Sequence, residues 1–350
     1  MSDSIDQLAA DAFQAGASDL FLCQDQVPRV RLDNEIQVPG ASALSYETMA
    51  DFWNQCHADP EHTHEKDTSH VIQGGRRLRV NLYKSLGLLS AVLRPIKEEI
   101  PTMDALGLPR ELMINWASRK SGLILITGPT GSGKSTTMAS MLQWINENQA
   151  RHIITIEDPI EYIFANKLSY FSQRELHADT LSFASALRAS LRQSPDIILL
   201  GEIRDKETAK ISLQAAETGH LVVATLHSSG VTDSLERLTN LFPPDSREGL
   251  LKLLSNHLIG ILSQQLLPRK HGGLMLAVEH LQNEAATRAW IRNSNLAEIA
   301  DHINRNDNAT NCSFVRYLVA AAQQGFVEES TARQAAPNAQ DFDRLFRGIS

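Results

Sequence analysis

The chain has 350 residues, 42% hydrophobic and 21% charged, a balance that fits a globular protein with a large core. Its net charge of −8 excludes the overall basic surface that binds nucleic acid regardless of sequence. Three widely spaced cysteines argue against a disulfide framework, and no apolar run approaches the roughly 18 residues that span a bilayer. We therefore expect a cytoplasmic protein that reaches a membrane only through a partner.

The first hundred residues predict a small α+β domain. Apolar spacing predicts an amphipathic helix over residues 3–15, which Gly16 ends. Short β-rich stretches follow at 20–22, 27–32, 78–83 and 88–93, separated by turn residues that include Pro28, Asp33–Asn34 and Gly74–Gly75. Clustered prolines then limit regular structure. We place this domain at residues 1–98 and an interdomain linker at 99–120.

Residues 121–350 predict a second, α/β domain. Buried strands are predicted at 123–127, 153–156, 197–200 and 221–225, with helices at 136–147, 183–193 and 206–218 between them. Such continuous apolar runs suit a parallel sheet that is covered on both faces. From about residue 246 the chain is predicted to be mainly helical.

A phosphate-binding loop is predicted between the first of these strands and the helix after it. The loop and the residue that follows it are Gly128, Pro129, Thr130, Gly131, Ser132, Gly133, Lys134, Ser135 and Thr136. In this pattern the glycines let backbone N–H groups surround phosphate oxygens, the lysine reaches the β and γ phosphates, and Ser135 is placed to ligate Mg²⁺. The motif predicts binding of ATP or GTP.

Acidic residues and a histidine follow the other predicted strands. Glu202 ends one strand and is a candidate to polarise an attacking water, while Glu157 and Asp158 end another. His227 follows the strand at 221–225, whereas His220 precedes it at the opposite end. Taken alone, each of these side chains is also compatible with a solvated or structural position in a turn.

Arginines are concentrated in the late strands of the first domain, at positions 76, 77, 79 and 94. An arginine offered across an interface neutralises the charge of a γ-phosphate in many nucleotide hydrolases. The alternative is a solvated face of a β-ribbon.

The sequence resembles the type IV pilus retraction ATPase (PilT) family of secretion-type ATPases over nearly its full length. Four ordered segments carry the resemblance: 128–136 is similar to the family's Walker A loop, 156–161 to its Asp box, 196–202 to its Walker B strand and 218–227 to its His box. The resemblance implies a RecA-like ATPase core with a helical C-terminal part, preceded by a PAS-like domain. It further implies a hexameric ring that binds ATP and Mg²⁺ and acts on a pilus through an inner-membrane platform protein.

The resemblance also implies roles for single residues. Glu202 becomes the catalytic carboxylate, Glu157 and Asp158 the Asp-box acids, and His227 the sensor of the γ-phosphate. Arg79 and Arg94 become candidate phosphate-contacting arginines from the first domain, and Arg204 a further one.

Two features distinguish members within this superfamily. The chain lacks the tetracysteine motif and the extra N-terminal region of assembly and export ATPases, which favours the retraction branch and twitching motility. At 286–293 the chain reads ATRAWIRN where the family has AIRNLIRE, and Phe21 replaces an expected histidine. An accessory paralogue that assists the main motor, or an ATPase of a related secretion system, is therefore an alternative, and a nucleic-acid motor is a third that the net charge disfavours.

Overall fold

The structure is a computed structural model that describes residues 4–32, 35–72, 74–96, 99–305 and 310–348. The chain divides into two compact units, Met1–Glu98 with Pro159–Ile163 and Glu99–Asp158 with Phe164–Ser350. The predicted turn at Asp33–Asn34 and the predicted domain end at residue 98 lie outside the described residues. Among those described, no helix combines the length and apolar character that crossing a bilayer requires.

The first unit contains a mixture of helices and strands. Its elements are α1 (Ile5–Gln14), β1 (Asp19–Cys23), β2 (Arg29–Leu32), β3 (Glu35–Gln37), α2 (Tyr46–Gln55), β4 (Glu65–Val71), β5 (Arg77–Ser85) and β6 (Leu88–Pro95). The described strands form one antiparallel sheet in the order β3-β2-β1-β6-β5-β4. The predicted helix α1 and strands β1, β2, β5 and β6 are confirmed, whereas β3, α2 and β4 were not predicted. The PAS-like character of this unit stays a prediction.

The two faces of this sheet differ in polarity. Ser4 caps α1 by accepting a hydrogen bond from the backbone N–H of Gln7, and α1 buries its apolar stripe against the sheet. Alternate residues of β5 are buried with it, namely Leu78, Val80 and Leu82. The intervening side chains, such as Arg79, point to the opposite face because strand side chains alternate.

The second unit holds the α/β core and the C-terminal helices. It begins with α3 (Met103–Leu106), α4 (Arg110–Ala117), β7 (Gly122–Thr127), α5 (Lys134–Asn148), β8 (His152–Glu157), β9 (Tyr170–Glu175), α6 (Phe183–Ser190), β10 (Ile197–Leu200), α7 (Lys206–Glu217) and β11 (Leu221–Leu226). It continues with α8 (Val231–Asn240), α9 (Pro244–His257), β12 (Leu258–Pro268), β13 (Leu274–Gln282), α10 (Ala285–Arg292), α11 (Leu296–Arg305), β14 (Asn311–Cys312), α12 (Phe314–Gln323), α13 (Glu329–Ala335) and α14 (Ala339–Phe346). The predicted linker at 99–120 thus contains two short helices.

The sheet of the second unit is parallel at its centre. Its described strands run in the order β14-β13-β12-β7-β11-β10-β8-β9, with parallel pairing from β12 through β9 and antiparallel pairing of β13 with both neighbours. Strands β7, β10 and β11 are buried along their whole length. The predicted α/β class with a parallel sheet is confirmed.

The mainly helical part predicted from about residue 246 is confirmed, except for one segment. Helix α9 forms as expected, and helices α10 to α14 follow later, but residues 258–282 form the β-hairpin of β12 and β13. Both strands are largely buried, so apolar residues lie on both of their faces and show no period of two. The hairpin extends the parallel sheet beside the strand that leads into the phosphate loop.

Candidate functional site

The predicted site residues lie at one edge of the parallel sheet. Strands β7, β11, β10 and β8 are adjacent and parallel, so their carboxyl ends meet at the same edge. The phosphate loop follows β7, His227 follows β11, Glu202 follows β10, and Glu157 ends β8. Strand order therefore brings together segments that are far apart in the sequence, such as Thr130 and His227, which are separated by 97 residues.

The phosphate loop has the backbone conformation that its glycines permit. Gly128, Gly131 and Gly133 have φ values of 147°, 78° and 87°, which non-glycine residues rarely adopt. A Cβ on Gly128 would also lie 2.6 Å from the Ser132 hydroxyl oxygen. The loop therefore requires glycine for its turn and for its close packing.

Cations and helix geometry make this loop suitable for phosphate. Helix α5 begins at Lys134, so Ser135 and Thr136 lie in its first turn, where backbone N–H groups and the helix dipole favour anions. The Lys134 ammonium group donates hydrogen bonds to the carbonyl oxygens of Gly128 (3.0 Å) and Pro129 (2.9 Å). The Ser135 hydroxyl belongs to the oxygen class of ligand that Mg²⁺ prefers, so the donor set fits a magnesium nucleotide.

Glu202 lies in an ion-pair cluster. Arg204 forms an ion pair with one Glu202 oxygen and lies 3.3 Å from an Asp158 oxygen. The Glu202 side chain is only 16% exposed, so its charge is stabilised chiefly by these neighbours. Hydrogen bonding to Glu202 raises the pKa of Arg204. Arg204 is thus bound to the carboxylates in this structure, and its predicted contact with phosphate stays a prediction.

The loop that carries Glu202 is attached to both neighbouring strands. Gly201 donates its backbone N–H to the Ile156 carbonyl at the end of β8 (2.8 Å), and Ile203 donates to the Thr225 carbonyl of β11 (3.0 Å). The Thr225 hydroxyl donates in turn to the Gly201 carbonyl. These bonds fix the direction in which Glu202 leaves the sheet.

His227 connects the phosphate loop with Glu202. Its Nε2 atom lies 3.4 Å from a Glu202 oxygen, and its Nδ1 atom lies 3.5 Å from the Thr130 hydroxyl. Burial and the nearby charge of Lys134 lower the pKa of His227, although Glu202 opposes them. His227 is therefore neutral at neutral pH and able both to donate and to accept a hydrogen bond.

Glu157 lies at the end of β8, where it accepts a hydrogen bond from the Gln173 side chain (3.4 Å). Strand β9, which carries Gln173, was not predicted. Asp158 instead lies 3.3 Å from Arg204. The two acids that were predicted as one pair therefore contact different side chains.

Arg79 and Arg94 lie directly opposite each other on β5 and β6 in the first unit. Arg94 forms an ion pair with Asp19, which is 5% exposed, and Arg31 lies 3.3 Å from the same carboxylate. Within its own unit Arg94 therefore has a structural partner that the sequence did not indicate. The predicted phosphate contacts of both arginines stay predictions.

Sequence reasoning missed one residue at the phosphate loop. Gln264 is fully buried on β12, and its side-chain amide donates a hydrogen bond to the Ser132 carbonyl at 2.6 Å. It was missed because its segment was predicted to be helical. The signal was the pair Gly272–Gly273 between two apolar runs, which is typical of a hairpin.

Comparison with known proteins gives one consistent family. Residues 68–332 match the model of the type II/IV secretion system protein family. The chain is 36% identical to the type IV pilus retraction ATPase PilT of Pseudomonas aeruginosa, over 97% of this chain and 99% of that protein. It is 35% identical to the type IV pilus ATPase PilU of the same organism, over 95% and 89%. A crystal structure of the pilus retraction motor PilT with bound ADP superposes with a TM-score of 0.90 at 39% identity, covering 97% and 99% of the two chains.

Proposed function

We propose that this chain is an ATP-hydrolysing motor that powers type IV pilus retraction. The chain belongs to the PilT family of type II/IV secretion ATPases, and the proposal starts from that membership. One observation carries the proposal. The phosphate loop, His227 and Glu202 lie at one sheet edge, with His227 between the loop and the carboxylate. That arrangement has the parts that hydrolysis of a γ-phosphate requires.

We assign the following roles to the chain's own residues, and the geometry described above supports them. Backbone N–H groups of the phosphate loop and the first turn of α5 bind the phosphates, and Lys134 exchanges its loop carbonyls for phosphate oxygens. Glu202 orients and polarises the attacking water. Neutral His227 contacts the γ-phosphate and Glu202, so its position depends on whether the γ-phosphate is present. Ser135 would hold Mg²⁺, which would supply neutralisation of charge on the phosphates, and Glu157 and Asp158 are the further acids that we propose serve catalysis.

We further infer a homohexamer that works in the cytoplasm at the base of the pilus machine and acts through an inner-membrane platform protein. As the family resemblance implies, we propose that Arg79 and Arg94 contact phosphate in such a ring. The measurement for this step is the oligomeric state by light scattering, with and without ATP. A chain that stays monomeric with bound ATP while hydrolysing it at full rate would contradict the ring.

Two experiments test the proposed activity. Purified protein should hydrolyse ATP with Mg²⁺, Lys134→Ala should lose nucleotide binding, and Glu202→Gln should bind nucleotide but lose turnover. The proposal fails if turnover survives Glu202→Gln. Added DNA or RNA should not stimulate the rate, since stimulation would favour a nucleic-acid motor.

Direction is tested in cells. Deleting the gene should increase the number of surface pili and abolish twitching, and a Glu202→Gln copy should not restore it. Absence of pili would indicate assembly instead.

A second candidate is an accessory motor ATPase. The altered segment 286–293 favours keeping it, and the chain is as similar to a second type IV pilus ATPase, PilU, as it is to PilT. It predicts weak turnover that rises on mixing with a paralogous motor ATPase, and a deletion that leaves pilus number nearly unchanged.

A further inference from the structure

The half-buried Glu279 lies at the end of a row of polar residues that crosses the sheet beneath α8. Thr127, the last residue of β7, is the register partner of Ser263 on β12, and Ser263 is the partner of Glu279 on β13. Register partners on adjacent strands point to the same face. None of the contacts described above for the nucleotide site involves Glu279. Because placing a carboxylate away from water costs free energy, its presence in this row needs an explanation.

The Glu279 carboxylate joins the beginnings of two helices. One oxygen accepts the backbone N–H of Val231, the first residue of α8, at 2.7 Å, and the other accepts the N–H of Phe314, the first residue of α12, at 3.3 Å. Burial raises the pKa of Glu279, and these two N–H donors lower it only in part. A Cβ on Gly230 would lie 3.2 Å from the carboxylate, so the chain approaches Glu279 closely at this point.

Helix α8 is also tied to the strand that leads into the phosphate loop. The Ser234 hydroxyl of α8 lies 3.1 Å from the Thr127 hydroxyl and 2.7 Å from the Ser228 hydroxyl. His227 directly precedes Ser228 and lies four residues before Val231. The segment that presents His227 is thus held at its far end by Glu279.

We propose that Glu279 is a positioning residue of the nucleotide site. It fixes the start of α8 and thereby holds His227 against Glu202. Because its second oxygen binds the start of α12, the position of His227 also depends on α12. The proposal rests on the proposed ATPase activity only for its kinetic test. The alternative is a helix cap that stabilises the fold and leaves His227 unaffected.

The conservative variant Glu279→Gln separates these two readings. Its amide nitrogen cannot accept a hydrogen bond, so one helix start loses its acceptor while size is kept. We expect kcat to fall about tenfold, as for loss of one charge-assisted hydrogen bond, while affinity for fluorescent ADP stays within about twofold. Glu248→Gln, an exposed position on α9, is the matched control and should behave like the parent.

A double-mutant cycle with His227→Ala tests the route. If Glu279 acts through His227, the double variant should have a kcat within about twofold of His227→Ala alone. Multiplied losses would overturn the proposal, as would a kcat of Glu279→Gln within twofold of the parent. Gly230→Ala is a second variant in case Glu279→Gln does not fold, since its added Cβ displaces the carboxylate without changing charge, and it should lower kcat in the same direction.

Hydrogen exchange gives a readout that does not need turnover. Glu279→Gln should speed amide exchange at residues 228–234 and at the start of α12, and Glu248→Gln should not. Unchanged exchange at 228–234 would overturn the positioning role even if the chain has no ATPase activity. Exchange that changes in a protein without turnover would instead refute the proposed function and keep the structural link.

Discussion

Replacing Gln264 with leucine should weaken nucleotide binding without unfolding the protein. The Gln264 side-chain amide donates a hydrogen bond to the Ser132 carbonyl. Ser132 lies between Gly131 and Gly133, which both have positive φ, so this bond holds the part of the loop with the most unusual backbone conformation. Leucine is similar in size and removes the donor. The other side-chain atom, Oε1, has no hydrogen-bond partner among the described residues, so its loss removes no second bond.

The magnitude follows from that single bond. Removing the donor for a buried carbonyl costs roughly 1–2 kcal/mol, which corresponds to roughly 5- to 30-fold weaker affinity if the loop bears the whole effect. Titration with fluorescent ADP measures the affinity, and a thermal melt measures the fold. Gln265→Leu is the matched control, because this neighbour is half-buried and points to the other face of β12.

Two results would refute this reasoning. If Gln264→Leu binds ADP within twofold of the parent, the hydrogen bond does not hold the loop. If Gln265→Leu loses as much affinity, the effect comes from the strand as a whole rather than from the bond to Ser132.

Three further predictions address stability and pH. Gly260→Ala should lower the free energy of unfolding by roughly 1–3 kcal/mol in a denaturant melt, because its Cβ would lie 2.7 Å from atoms of the fully buried Trp116 ring; an unchanged midpoint would show that the ring moves freely. Burial opposes ionisation of Asp19, but hydrogen bonds from Arg94 and Ser18 outweigh it and lower its pKa, so its contribution to stability is present above its ordinary pKa and lost as pH falls through the lowered value. Asp19→Asn should therefore destabilise by about 1–2 kcal/mol at pH 7 and by progressively less as pH falls below the ordinary carboxyl pKa, and a loss that does not change with pH would contradict this. The pKa of His227 is lowered, so the unfolded chain takes up this proton at a higher pH than the native protein does, and the native state loses stability only as pH falls below the ordinary histidine pKa. ATPase activity should therefore stay constant from pH 8 to about 6.5. His227→Gln should remove any loss of activity that the parent enzyme shows at lower pH.

The α/β core could be predicted because its central strands are continuous apolar runs in the sequence. Strands β7, β10 and β11 are buried runs with no polar interruption, and parallel pairing then requires their carboxyl ends to share an edge. From that rule the proximity of the phosphate loop, His227 and Glu202 follows without knowledge of any contact. The separate partners of Glu157 and Asp158 do not follow, since they depend on side-chain directions within a short turn.

The hairpin at 258–282 could not be assigned from periodicity. A strand that is buried on both faces and a buried helix both present continuous apolar residues, so the hydrophobic pattern does not distinguish them. This error hid Gln264 and Glu279, which act on the site from β12 and β13. Likewise, the sequence predicted that arginines of the first unit contact phosphate. Only the fold shows that Arg94 forms an ion pair with Asp19.

The proposed hydrolysis would require charged groups at the site to change partners. Lys134 donates hydrogen bonds to carbonyl oxygens of its own loop, and Arg204 forms an ion pair with Glu202, the carboxylate that we propose orients water. Phosphate oxygens compete with both sets of acceptors, and each exchange replaces one charge-assisted or polar contact with another, so the net free-energy change of each is small compared with either contact alone. Arg204 and His227 contact the two different oxygens of the Glu202 carboxylate, so we expect release of Arg204 to change the Glu202–His227 contact. In the proposed motor, this exchange of partners would couple nucleotide binding to movement of the loops after β10 and β11.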